Sequence, residues 1–333
     1  MSDDQNIPLT GDPELSSITV ERFAPEELVY CSACDRSNSP KRTTCIYCGE
    51  ALAGEAPAAS ESSADAITGS YFLPANQLGS ITEDGAGRLA DLLQIKAVEL
   101  QAALTAGGPL PVLGAAMIED RPELITEIEA LGVHLVPIDS EVLAKHSVRK
   151  IRTLVLTEEA VSAPPAETED VRGWLDLVLV VVGRVIRSRI EQEESRTWAD
   201  VKATGLRHLS TDESLLDLYF DGSDEGWRIY GNNFDFSCLQ NEKRVTTFEN
   251  VSALISIIRE RAANAEIDDS FHRKRSVLAN VWPLDPVSKS EWAPGIRQKY
   301  NYKTVTTSDN ESQFNNYSRA AQFLRMTELK EGQ

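Results

Sequence analysis

Between Tyr71 and Ser270 the chain alternates short apolar runs with polar punctuation, and each run carries the period of one kind of element. Tyr71-Phe72-Leu73 is a compact apolar triplet suited to a buried strand. Gly85 to Leu93 and Lys96 to Leu104 repeat apolar residues every three or four positions, which predicts two helices, and Gly107-Gly108-Pro109 halts the second. Leu110 to Met117 predicts a strand. Asp120 reads as an N-cap with Glu123 three positions on, ahead of the stripe Leu124, Ile125, Ile128, Leu131 and a stop at Gly132. Val133 to Ile138 returns to a strand.

The period shortens after Val148. Ile151 to Thr157 is β-branched, and Leu175 to Ile190 is a strand long enough to leave the core and turn basic at Arg184, Arg187 and Arg189. Leu215 to Phe220 and Trp227 to Tyr230 flank Asp221-Gly222-Ser223-Asp224-Glu225-Gly226, a hairpin signal. Phe234, Phe236 and Cys238 alternate with polar residues, the pattern of a half-buried strand. Asn250 is then a cap for a helix with Val251, Leu254, Ile255 and Ile258 on one face. From Val287 the chain is polar, with one short helix from Gln313 to Arg325.

The expected fold class is therefore α+β and multidomain: an acidic disordered N-terminus (1–28), a zinc ribbon (29–50), a flexible linker (51–70), an α+β sandwich (71–145), a mostly antiparallel β domain closed by a C-terminal helix (148–270), and a polar tail (271–333). Ala51 to Ser70 carries Leu52 and Ile67 as its large apolar residues, too few to offset chain entropy.

Composition narrows the function. Asp and Glu number 52 against 33 Lys and Arg, a formal net charge of -19, which disfavours binding to phosphate backbones except through a local basic patch. The opening Met1-Ser2-Asp3-Asp4 has acid where a secretory leader carries positive charge, and the longest apolar run, Leu177 to Val182, is far short of the ~20 residues that span a bilayer. A cytoplasmic location, with no membrane span, is the expectation.

Four of the five cysteines form two Cys-x-x-Cys knuckles: Cys31 and Cys34, then Cys45 and Cys48, with Gly49 after the second. Two knuckles supply the tetrahedral thiolate shell of a structural zinc ion and leave no coordination position for substrate. A module this small relies on the metal for its folding free energy, on the order of 10 kcal/mol. Elsewhere the phosphate-loop, dinucleotide, nucleophile-elbow and zincin motifs are missing, so no catalytic residue is assigned and the chain is read as a non-enzyme. The histidines are scattered, with His134 read as a packed strand residue, and the pattern around Cys238 predicts a buried, inert thiol.

With Asn38 between its knuckles, the cysteine segment resembles the Ran-binding-protein type of zinc finger, and equally a bacterial zinc ribbon. Members of that finger family bind single-stranded RNA or ubiquitin. The resemblance sets Lys41 and Arg42 where the RNA binders carry an Arg pair, and with Arg36 of the same finger they are the candidate RNA or anion contacts, while Ser39 stands where those members carry a stacking Trp and Asp35-Arg36 where the ubiquitin binders carry Thr-Phe. The order of elements from Tyr71 to Ser140 is similar to the fold of the ribosomal stalk protein's C-terminal domain and the ClpS-type adaptor, which implies a tendency to dock proteins. Of the adaptor's Asn-Asp-Asp run it shares Asn76. Strands closed by one amphipathic helix resemble a pleckstrin-homology-like domain, on which Arg184, Arg187 and Arg189 would form an anion patch; Glu191, Glu193 and Glu194, following at once, favour a solvated, salt-bridged strand end instead. The expected function is a non-enzymatic zinc-containing adaptor with protein partners, the alternative a single-stranded RNA binder acting through the finger.

Overall fold

A computed structural model describes residues 29–30, 37–38, 69–145, 147–164, 170–196, 201–284, 286–294 and 300–331. The chain divides into two units, Met1–Ala66 and Ile67–Gln333. In the first, β1 (Val29–Tyr30) and β2 (Ser37–Asn38) pair antiparallel, Val29 opposite Asn38.

The second unit is a mixed α/β body. It opens with β3 (Gly69–Leu73), α1 (Glu83–Leu93), α2 (Ala97–Thr105), β4 (Leu110–Leu113), α3 (Ala115–Asp120), α4 (Leu124–Glu129), β5 (Val136–Asp139) and α5 (Ser140–Ala144). β3 lies between β4 and β5, antiparallel to both. Thr82 caps α1 by accepting from the Gly85 N–H, and Gly107 and Gly108 both take positive φ, which a residue with Cβ resists. The expected strand to Met117 stops at Leu113. Residues 115–120 are helical, so Asp120 ends α3 rather than capping α4, whose N-cap is Glu123 with no side-chain cap bond. His134 is exposed, its backbone N–H held by Gln77, so it is not the packed strand residue expected.

A seven-stranded sheet follows. Its strands are β6 (Val148–Ile151), β10 (Leu177–Arg196), β11 (Val201–Phe220), β12 (Gly226–Tyr230), β13 (Glu266–Asp268), β14 (Val287–Pro294) and β15 (Tyr300–Asp309), in the order β14-β15-β10-β11-β12-β6 with β13 against β10. The β12–β6 and β10–β13 pairs are parallel and the others antiparallel. β7 (Val155–Leu156), β8 (Ala160–Ala163) and β9 (Asp170–Gly173) form a small antiparallel sheet beside it. Period-2 alternation gives the large sheet two apolar faces. On one, Val180, Leu216, Leu218, Trp227 and Ile229 pack with Val251, Leu254 and Ile258 of α6 (Thr247–Arg261). On the other, Leu179, Val181, Val185, Leu215 and Tyr219 pack with Phe271, Leu278 of α7 (Arg275–Val281), and Phe314 and Tyr317 of α8 (Glu311–Glu331).

Three further expectations change here. Residues 236–242 form a 3-10 helix, not a strand, started by Asp235, whose carboxylate accepts from the Ser237 N–H. The cap of α6 is Thr246, in a reciprocal box with Glu249; Asn250 lies inside the helix, its side chain bonding the backbone of Arg244. The segment expected as a polar tail contains β14, β15 and the 21-residue α8, which completes the second face of the sheet. Among the described residues no helix is long and apolar enough to cross a membrane.

Candidate functional site

The seam between the sheet and α8 gathers most of the buried charge. On β11, Asp217 sits between Leu216 and Leu218, and on β12 Arg228 sits between Trp227 and Ile229, directly opposite it in the ladder. Antiparallel register thus delivers both charges to the α8 face, where the guanidinium meets the carboxylate through two bonds of 2.7 Å, Nε to Oδ1 and Nη2 to Oδ2. Ser318 of α8 donates to the same Oδ2 at 2.7 Å, and the Arg228 Nη1 donates to Asn315 at 2.5 Å. Burial works against the charged guanidinium, but the bonds and charge of Asp217 outweigh it and raise its pKa. Tyr219, sealed beside them, is pushed well up by burial and then by Asp217.

The network continues outward. Tyr230 donates to Glu311 Oε1 at 2.6 Å, and Arg187 bridges Glu311 and Glu213 at 2.7 Å each. Burial would raise the Glu311 carboxyl, yet Tyr230 and Arg187 hold it below the usual range.

A second cluster lies where β13 meets α8. Lys274, with no exposed surface, donates to the Pro109 carbonyl at 2.8 Å and to Ser270 Oγ and Tyr317 Oη at 2.7 Å each. Tyr317 and Ser270 each donate in turn to Asp268, at 2.6 and 2.5 Å. Three acceptors match the three N–H groups of an ammonium. Burial nevertheless pushes Lys274 down to about 7, with Asp268 pulling the other way, and drives Tyr317 far up.

Ser270 and Lys274 stand one turn apart at nucleophile-to-base distance, the contact used in Ser–Lys acyl transfer. Here the serine proton is committed to Asp268, Ser270 is 1% exposed, and Tyr317 lies against both. The adjoining cleft, lined by Pro109, Glu266, Asp268, Ala321 and Arg325, measures about 50 Å³, well below the ~300 Å³ of small-molecule sites. As arranged, the cluster clasps three distant segments together.

The outer half of the same strands is open. Beyond Arg187, β10 and β11 continue as a four-stranded ribbon with β15 and β14, and a groove of about 320 Å³ runs across its root, lined by Arg187, Ser188, Arg189, Leu209, Thr211 and Thr307. Val287, Thr307, Arg189 and Leu209 form one cross-strand row, and the apolar residues at its two ends are each 54% exposed.

The residues singled out in the sequence divide cleanly. Cys31, Cys34, Cys45 and Cys48, with Arg36, Lys41 and Arg42, lie outside the described residues. Arg184 pairs with Asp212, Arg187 with Glu213 and Glu311, and Arg189 with Glu191, which also meets Lys303 at 3.0 Å. The half-buried Cys238 has its thiol pushed up by burial to about 11. Among the described residues, no three His, Cys, Asp or Glu side chains gather as a metal site. Asp217, Arg228, Asp268, Ser270, Lys274 and Tyr317 escaped notice, although a lone charge inside an apolar strand run marks Asp217 and Arg228. No family model, no curated protein and no solved structure matches the chain.

Proposed function

We propose that this chain is a non-enzymatic, cytoplasmic interaction protein, in which a four-cysteine structural zinc module is linked to a body that offers the β10–β11 ribbon to protein partners. In this reading Cys31, Cys34, Cys45 and Cys48 hold the zinc, residues 71–145 form a stalk/ClpS-like sandwich, and the sheet with its helix is pleckstrin-homology-like. The observation that carries it is exposed Leu209 lining the ribbon groove, with exposed Val287 at the other end of the same cross-strand row, on a surface where neighbouring charges already neutralise one another. An apolar anchor pair within a polar rim is the makeup of a protein-binding patch. The sealed state of Ser270 and Lys274 supports the non-enzymatic half.

The test is affinity capture with mass spectrometry on wild type, a Leu209→Glu/Val287→Glu variant and a Cys45→Ser/Cys48→Ser variant, beside metal analysis of each. One zinc per chain in wild type, lost in the cysteine variant, and a set of captured proteins lost in the ribbon variant with its unfolding midpoint retained, are the expected results. Identical capture by all three chains would overturn the reading, as would salt-steep binding to single-stranded RNA abolished by Lys41→Ala/Arg42→Ala, which moves the function to nucleic acid.

A further inference from the structure

The ribbon ends at β14, which pairs with β15 on one side and with no other described strand on the second. An open edge of this length is a template for another strand, and proteins commonly guard such edges with a single lysine or a proline. β14 has such a lysine and such prolines, and its sequence is in addition self-complementary. It reads Pro286-Val287-Ser288-Lys289-Ser290-Glu291-Trp292-Ala293-Pro294, and Ser290 is its midpoint.

Consider two copies of the strand running antiparallel with Ser290 opposite Ser290. Lys289 of each copy then stands opposite Glu291 of the other, so both opposite-charge pairs form at once. Ser288 falls opposite Trp292, and Val287 opposite Ala293. Pro286 falls opposite Pro294 at both ends, so a residue with no N–H to donate closes the paired stretch at each end. Moving the register by two residues puts lysine and glutamate out of opposition and sets each proline against a residue that needs a partner. Charge and proline placement therefore select one register, and that register has the twofold symmetry of an isologous interface.

We infer that two copies of this chain associate through β14, antiparallel about Ser290, to join their ribbons into one continuous sheet. The inference rests on the reading of the ribbon as an interaction surface and names one partner of it. The β14–β15 register places the edge beside the Val287–Thr307–Arg189–Leu209 row, so a dimer would set two such rows symmetrically about the axis.

Analytical ultracentrifugation of the full chain across a concentration series tests it. Wild type is expected to reach twice the monomer mass. Lys289→Glu and Glu291→Lys, each of which opposes like charges, should weaken self-association by about tenfold or more. Mixing the two single variants should restore dimers, because each then meets its complement, and the double variant Lys289→Glu/Glu291→Lys should dimerise alone. Ser290→Pro, which removes the central N–H, should be monomeric with an unchanged far-ultraviolet dichroism spectrum. A wild-type chain that stays monomeric at its highest soluble concentration overturns the inference, as do single charge variants that dimerise as tightly as wild type. The two readings fail separately: a monomer that still captures other proteins through Leu209 and Val287 defeats the dimer and leaves the proposed function, whereas a β14 dimer that captures nothing leaves the dimer and defeats the adaptor.

Discussion

Strands β10 and β11 pass through two surroundings, and the contrast between their inner and outer halves explains most of this molecule. From Leu177 to Val185 on β10, and from Leu215 to Phe220 on β11, both faces are covered, by α6 on one side and α7 with α8 on the other. Within that cover Asp217 is matched by Arg228, and at its border Glu213 is matched by Arg187 and Arg184 by Asp212. Beyond Arg187 the same ladder continues with mostly polar side chains, and its Arg189–Glu191 pair lies near water. Backbone pairing runs the length of the two strands, with register shifts at Leu177/Leu179 and Glu193/Glu194, whereas side-chain burial changes midway. What changes is the consequence of losing one charge, which is large where water cannot replace the partner and small where it can.

This contrast is broken most directly at its buried end. Asp217→Ala leaves the Arg228 guanidinium sealed without its carboxylate, and the expected loss is about 3–5 kcal/mol in a denaturant titration. Next in size is Gly183→Ala. A methyl group at Gly183 would collide with the Phe314 ring, so this change should cost about 1–3 kcal/mol, and Phe314→Leu in the same chain should recover part of it. A third measurement concerns Lys274. Its folded pKa of about 7 lies below the ordinary 10.5, so between those values the unfolded chain binds a proton that the folded chain does not. Stability from this group therefore rises with pH across that window and is flat below it. Lys274→Met should remove that part of the rise in unfolding midpoint between pH 7 and pH 10. Smallest is Ser188→Ala on the ribbon, which deletes a 2.8 Å bond to exposed His208 and should shift stability by less than about 0.5 kcal/mol. A loss of several kcal/mol at Ser188 would mean that the ribbon is covered in solution.

Legibility in the sequence followed the same divide. β10, the β11–β12 hairpin, α1, α2 and α6 announce themselves through apolar periodicity and turn residues, because transfer out of water is what forms them. α8 does not. Its buried side carries Gln313, Ser318 and Gln322 alongside Phe314, Tyr317, Ala320 and Ala321, so a helix that is well covered reads as polar. Its docking relies on side-chain hydrogen bonds whose partners lie up to 177 residues away, as with Arg319 and the Val142 carbonyl, and no local pattern encodes them. The run Phe234, Phe236, Cys238 misled for the opposite reason. Alternation over five residues fits a 3-10 turn that buries two aromatics as well as a strand, and Asp235 bonding the Ser237 N–H tips the local backbone toward the turn. For α6 the usable signal was present in Thr246 with Glu249 three residues on, and Asn250 drew the boundary too late. The buried cluster at Lys274 was legible in none of these ways, since it is assembled from a turn, a 3-10 helix and α8.

That assembly bears on the order in which the body can be completed during synthesis. One ammonium group ties the carbonyl of Pro109 to the phenol of Tyr317, which is made long after it. The inner strands have their second cover complete only when Phe314 and Tyr317 join Phe271 and Leu278. A nascent chain stalled before α8 presents Leu179, Val181 and Leu215 to its surroundings, and quality-control machinery would meet a half-roofed sheet until α8 leaves the ribosome.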